Sequence, residues 1–121
     1  MPVRSLSSSV IVWPKSDEVV KALKDWASTE VKRHSHLMAV GYFGSYSRGD
    51  WGVGSDLDVV VVFENESHSP EKNILDSRTL PVSVDFFVYA LDEWESLIKR
   101  NNRFARMLRS EAKWVYRRDN F

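Results

Sequence analysis

The chain has 121 residues, room for one domain with a modest core. Seventeen basic and seventeen acidic residues leave no formal net charge, which argues against a broad surface for long nucleic acid or anionic membrane. The absence of cysteine excludes disulfides, thiol catalysis and cysteine-ligated zinc.

In the first segment only Val10-Ile11-Val12-Trp13 is apolar, too short for a secretory h-region, and no later stretch reaches membrane-span length. A cytoplasmic protein with no membrane partner is expected. Val10 to Trp13 reads as a short edge strand ended by Pro14, which cannot donate to a ladder. Ser16 is the expected N-cap of a helix running to about His34, with Asp17 and Glu18 at its positive end. Val19, Val20, Leu23, Trp26, Ala27 and Val31 form its apolar stripe, suited to covering one face of a sheet.

Leu37 to Phe43 and Val59 to Phe63 are near-continuously apolar, as strands covered on both faces should be. Between them Gly44-Ser45 opens a polar, glycine-rich loop that ends in Asp56-Leu57-Asp58. Glu64 to Leu80 reads as a polar loop with Ile74 and Leu75 as anchors, and Pro81 precedes a third core strand, Val82 to Tyr89. Trp94, Leu97 and Ile98, then Phe104, Met107 and Leu108, follow helical spacing on either side of a break at Asn101-Asn102. Trp114-Val115-Tyr116 supplies a last strand. Residues 1–121 are expected to form one α/β (α+β) domain, a small mixed β-sheet with flanking helices.

Successive side chains of a strand point to opposite faces, so Asp56 and Asp58 share one face and Leu57 takes the other. Two carboxylates about 4 Å apart repel by roughly 4 kcal/mol at an effective dielectric near 20. A divalent cation between them is the simplest compensation, and magnesium prefers such oxygen ligands.

Gly44-Ser45, ten residues, then Asp56-Leu57-Asp58 resembles the signature of the DNA polymerase β-type nucleotidyltransferase superfamily, and the short chain resembles its smallest members, the minimal nucleotidyltransferases. That pattern continues with an apolar strand and a third acid on a neighbouring strand, and Asp85 within Val82–Val88 matches that position. The resemblance covers roughly residues 37–88 and implies a polymerase β-type core. Both parts of the motif at this spacing, each beside an apolar strand, are far more specific than either alone. Ser47 departs from it slightly, since many relatives carry alanine there.

The resemblance implies that Asp56, Asp58 and Asp85 are catalytic and hold Mg2+, with Asp85 at a second metal position where it could act as general base toward the acceptor hydroxyl. Gly44 would allow close backbone approach. Ser45 would offer its hydroxyl and N–H to the triphosphate, and Arg48 a charge-assisted contact. Gly49, Gly52 and Gly54 are explained by loop geometry, and Ser55 by support of the loop or carboxylates. The alternative for a lone Asp-x-Asp is a turn at a strand entrance. Asp85 argues against it, because its apolar flanks suggest burial, where an unpaired charge is costly.

Other motifs fail. Gly52-Val53-Gly54 lacks the third glycine of a dinucleotide loop, and Ser45–Gly54 lacks the Gly-Lys-Ser/Thr ending of a P-loop. Asp56–Asp58 lacks the glycine and distal glutamate of an EF-hand. His34, His36 and His68 show no zinc spacing, and the tryptophans lack the basic groove of a base-stacking surface.

The expected activity is magnesium-dependent transfer of a nucleoside monophosphate to a hydroxyl, with ATP or another nucleoside triphosphate as donor. AMP from ATP is what the resemblance implies. It also implies a role as antitoxin to a small helical toxin, modified or bound by this chain. The rival readings are a low-turnover module that neutralises a partner by contact and a standalone enzyme acting on a small hydroxylated molecule.

Overall fold

The computed structural model of the chain describes residues 13–65 and 75–121. Its elements run α1 (Ser16–Arg33), β1 (Leu37–Phe43), α2 (Ser45–Arg48), β2 (Leu57–Phe63), β3 (Val84–Ala90), α3 (Leu91–Ile98), α4 (Arg103–Glu111) and β4 (Lys113–Arg117). The sheet order is β3-β2-β1-β4. β1 pairs antiparallel with both β2 and β4, whereas β2 and β3 are parallel, so the sheet is mixed.

β1 is buried along its whole length and β2 everywhere but at Asp58. Helices cover both faces, which is why these two central strands need apolar side chains in both directions. On one face Val19, Leu23 and Trp26 of α1 pack against Val40, Val59, Val61 and Phe86. On the other, Trp94 and Leu97 of α3 and Leu108 of α4 pack against Phe43, Val60 and Val62. Fully burying one such aliphatic side chain contributes about 1.5–3 kcal/mol, so the two layers together hold the sheet in place.

Local chemistry sets the element ends. α1 begins at Ser16 itself, with Lys15 at the cap position and no side-chain cap bond. Ser16 is therefore not the cap the sequence suggests; Asp17 and Glu18 still lie in the positive first turn. Asn102 does cap α4, its Oδ1 accepting from Ala105 N at 2.8 Å. Glu93 does the equivalent work for α3, accepting from Ala90 N at 2.8 Å. The third strand begins at Val84 rather than Val82, although Leu57 N already donates to Ser83 O at 2.8 Å.

The strand expected at Val10–Trp13 lies outside the described residues except for Trp13, which is in no strand and donates to Tyr46 OH at 3.4 Å. Ile74 also lies outside them. Leu75 is buried, and Trp26 Nε1 fastens the adjoining backbone by donating to Asp76 O at 2.6 Å. Among the described residues no helix is long and apolar enough to cross a membrane.

Candidate active site

The end of β1 and the start of β2 meet at one end of the two central strands, where Phe43 is in register with Asp58. On the other side of β2, Asp58 is in register with Asp85 of β3. Partners in a parallel pair share a face, and alternation places Asp58 with Val60 and Val62, and Asp85 with Phe87 and Tyr89. These residues belong to the layer covered by α3 and α4. Both carboxylates therefore stand on the α4 side of the sheet, and Asp56 precedes β2 by one residue.

Asp58 is half-buried, while Asp56 and Asp85 are exposed. Exposure of Asp85 corrects the burial expected from its apolar flanks: it is the second residue of an edge strand, at the end its neighbours do not cover. Burial, and then the charges of Asp85 and Asp56, push the Asp58 carboxyl up from the usual range, with Arg48 acting weakly the other way. None of the three makes an ion pair among the described residues.

Among the described residues no three His, Cys, Asp or Glu side chains stand close enough together to enclose a metal ion. The three carboxylates thus share this end of the strands without closing into the tight trio expected. The donor chemistry nevertheless suits a hard divalent cation: all three candidate ligands offer carboxylate oxygens, and none of them is in an ion pair among the described residues.

Gly44 turns the chain from β1 into the loop with φ 78° and ψ −149°, a conformation essentially confined to glycine. Ser47 N and Arg48 N both donate to Gly44 O at 3.0 Å, and Gly49 closes the single turn of α2 in the left-handed region. Tyr46 is buried and stacks on Trp51 with centroids 5.7 Å apart, which locks the turn to the loop that follows. Ser55 supports that loop as expected, its Oγ accepting from Gly52 N at 2.8 Å. Gly49 and Gly54 have positive φ, but Gly52 does not.

Arg48 does not stand alone. Its Nε donates to Asp50 Oδ2 and its Nη1 to Glu111 Oε1, each at 3.0 Å. Glu111 Oε1 also accepts from Gly44 N at 3.2 Å. Ser47 uses its hydroxyl to donate to the Glu111 carbonyl, and Lys113 Nζ donates to Ser47 O at 3.0 Å. Asp50 and Glu111 are the loop partners that reading the sequence misses. Asp50 was visible as the acid two residues from Arg48, whereas Glu111 lies 67 residues from Gly44 and only the fold brings it there.

The chain matches the nucleotidyltransferase domain model over residues 24–115. No curated protein sequence matches it. Among solved structures it resembles a candidate nucleotidyltransferase from Sulfolobus solfataricus, at 23% identity and TM-score 0.58 over 86% of this chain and 85% of that one. It also resembles a toxin–antitoxin structure with AMP-PNP, at 16% identity and TM-score 0.54 over 80% of this chain and 75% of that one. A mutant of the toxin–antitoxin MntA-HpeT gives 14% identity and TM-score 0.50 over 88% and 76%. At these identities the three structures speak to the fold.

Proposed function

The chain belongs to the nucleotidyltransferase domain family, and on that premise we propose that it is a magnesium-dependent transferase moving AMP from ATP to a hydroxyl of a partner protein. The observation that carries the reading is the register of Asp58 with Asp85 beside the Gly44 turn. It brings two acids from neighbouring strands to one face next to a loop with free donors.

Asp56, Asp58 and Asp85 would hold the magnesium. Bound there, it would neutralise triphosphate charge and polarise the phosphoryl oxygens. Gly44 and Ser45 would receive the terminal phosphates, with Arg48 adding a charge-assisted contact. Asp85, exposed at the sheet edge, would take the proton of the acceptor hydroxyl. The acceptor oxygen then bonds to the α-phosphorus, the bond to the bridging oxygen breaks, and pyrophosphate leaves.

Toxin–antitoxin structures among the fold neighbours support a small helical toxin as partner, so this chain would act as the antitoxin. The test is incubation with a small helical protein encoded beside this chain, magnesium, and ATP labelled at the α-phosphate. Label should appear on the partner and disappear with Asp56→Ala. Transfer of γ-label instead would make the chain a phosphotransferase. Neutralisation by Asp56→Ala without any label would replace the enzyme with a contact inhibitor.

A further inference from the structure

We propose that Glu111 is the positioning residue of the loop, its carboxylate holding the Gly44 N–H and the Arg48 guanidinium in the orientation a triphosphate meets. The inference deepens the nucleotidyltransferase reading and rests on it. α2 has only four residues, and so short a turn is not stable on its own hydrogen bonds. Its order must come from what is packed against it.

That support comes from the junction of α4 and β4. Glu111 Oε1 accepts from Gly44 N at 3.2 Å and from Arg48 Nη1 at 3.0 Å. The Glu111 carbonyl accepts from Ser47 Oγ, and Lys113 Nζ reaches Ser47 O at 3.0 Å. Two residues on either side of Ala112, Glu111 and Lys113, thus hold loop positions 44, 47 and 48. The Glu111 side chain is only 20% exposed, while its Arg48 partner is open to solvent at 43%, so the carboxylate is held at the loop and the guanidinium faces outward.

One carboxylate oxygen takes both donors, which leaves the rest of the loop's binding capacity open. Arg48 Nη2 and Ser45 Oγ make no hydrogen bond among the described residues. Arg48, flanked by Asp50 and Glu111, is already fixed in place, so a phosphate would not have to immobilise a long side chain. A carboxylate that instead occupied the phosphate position itself would act as a competitor, and its removal would tighten nucleotide binding. The two roles have opposite signs.

The experiment uses the full chain with Glu111→Ala and Glu111→Gln, measuring amide hydrogen exchange by NMR and the affinity for magnesium–ATP by calorimetry. In Glu111→Ala, exchange at Gly44–Gly49 should rise about tenfold or more while β1 and β2 stay protected, and affinity should fall about tenfold, the size of one charge-assisted hydrogen bond. Glu111→Gln, which keeps an acceptor but loses the charge, should fall between, and it serves if the alanine variant does not fold. Adding Arg48→Ala to Glu111→Ala should cost less than the two single changes together. Unchanged loop exchange, or ATP bound as tightly or more tightly by Glu111→Ala, overturns the proposal. A parent chain that binds no magnesium–ATP overturns the functional reading instead, and the exchange data then decide the role of Glu111 alone.

Discussion

Gly44 and Asp58 fit together only because Gly44 has no side chain: a Cβ there would lie 2.3 Å from Asp58 Oδ2. The backbone is also in a region that costs a non-glycine residue about 1–3 kcal/mol. Gly44→Ala is therefore expected to lower stability by at least that amount and to displace the Asp58 carboxylate. Gly49→Ala is the control, since its positive φ meets no neighbour within 4 Å. Thermal unfolding and magnesium–ATP titration of both variants check this: Gly49→Ala should lose about 1 kcal/mol and keep nucleotide binding.

The charge on Asp58 works against the fold. Burial and the neighbouring carboxylates of Asp85 and Asp56 raise its folded-state pKa above the unfolded value of about 3.9. The folded state then holds its proton more tightly than the unfolded chain, so this group's contribution becomes less favourable as pH rises through that interval. Asp58→Asn should accordingly melt higher than the parent at pH 7 without magnesium, with the gain vanishing at pH values below the unfolded pKa. Magnesium should raise the melting temperature of the parent more than that of the variant. A variant that melts lower than the parent at pH 7 without magnesium would mean that the ionised Asp58 has a stabilising partner.

Much of this architecture could be read from the sequence because burial on both faces leaves a plain mark. Leu37–Phe43 and Val59–Phe63 are apolar without alternation, and the break at Asn101-Asn102 became the cap of α4. The spacing of Gly44, Asp56 and Asp58 was picked out by its resemblance to a family motif, and alternation was needed only to set Asp58 on a face with Val60 and Val62. Asp85 was placed correctly beside Asp58 but wrongly buried, because Val84 and Phe86 say nothing about whether a helix reaches the end of an edge strand. Ser16 has the right chemistry for a cap, yet the helix starts one residue early and leaves that side chain inside the first turn. Glu111 carries no local signal at all. Its position on α4 looks like an ordinary polar helix end until β4 folds back along β1.

Trp26 joins the core to the backbone at Asp76 through two separable interactions. Its ring stacks on Phe86 with centroids 5.3 Å apart, and Nε1 donates to Asp76 O at 2.6 Å. Trp26→Phe keeps the aromatic packing and should cost about 0.5–1.5 kcal/mol for the lost hydrogen bond, plus part of the lost volume. Trp26→Ala should cost about 3–5 kcal/mol. Urea denaturation of both variants separates the terms: a Trp26→Phe variant as stable as the parent would show that packing alone matters, and equal losses would assign the effect to the hydrogen bond.

Ser47→Ala tests the tie between α2 and α4. It removes the hydroxyl that donates to the Glu111 carbonyl but leaves the Gly44 and Arg48 bonds to the Glu111 carboxylate intact. Stability should fall by about 0.5–1.5 kcal/mol in denaturant titrations, with nucleotide affinity within about twofold of the parent. A large loss of affinity would move Ser47 from a structural fastening into the binding surface.

Asp85 and Asp56 should separate chemistry from binding. Asp85 is exposed on the edge strand, open to an acceptor approaching from solvent, whereas Asp56 stands at the end of the glycine-rich loop. If Asp85 removes the acceptor proton, Asp85→Asn should lower the rate of labelled AMP transfer by about 10²–10⁴-fold, the usual contribution of a general base. Its magnesium–ATP affinity should fall less than the transfer rate, because Asp56 and Asp58 would still hold a metal and the contacts proposed at Gly44, Ser45 and Arg48 would be untouched. Asp56→Asn should weaken both if Asp56 holds the metal that carries the triphosphate, as proposed. Comparing transfer rate with calorimetric affinity in the two variants decides the division of roles. If Asp85→Asn loses ATP binding in step with activity, Asp85 serves the nucleotide rather than the acceptor, and proton removal falls to another group.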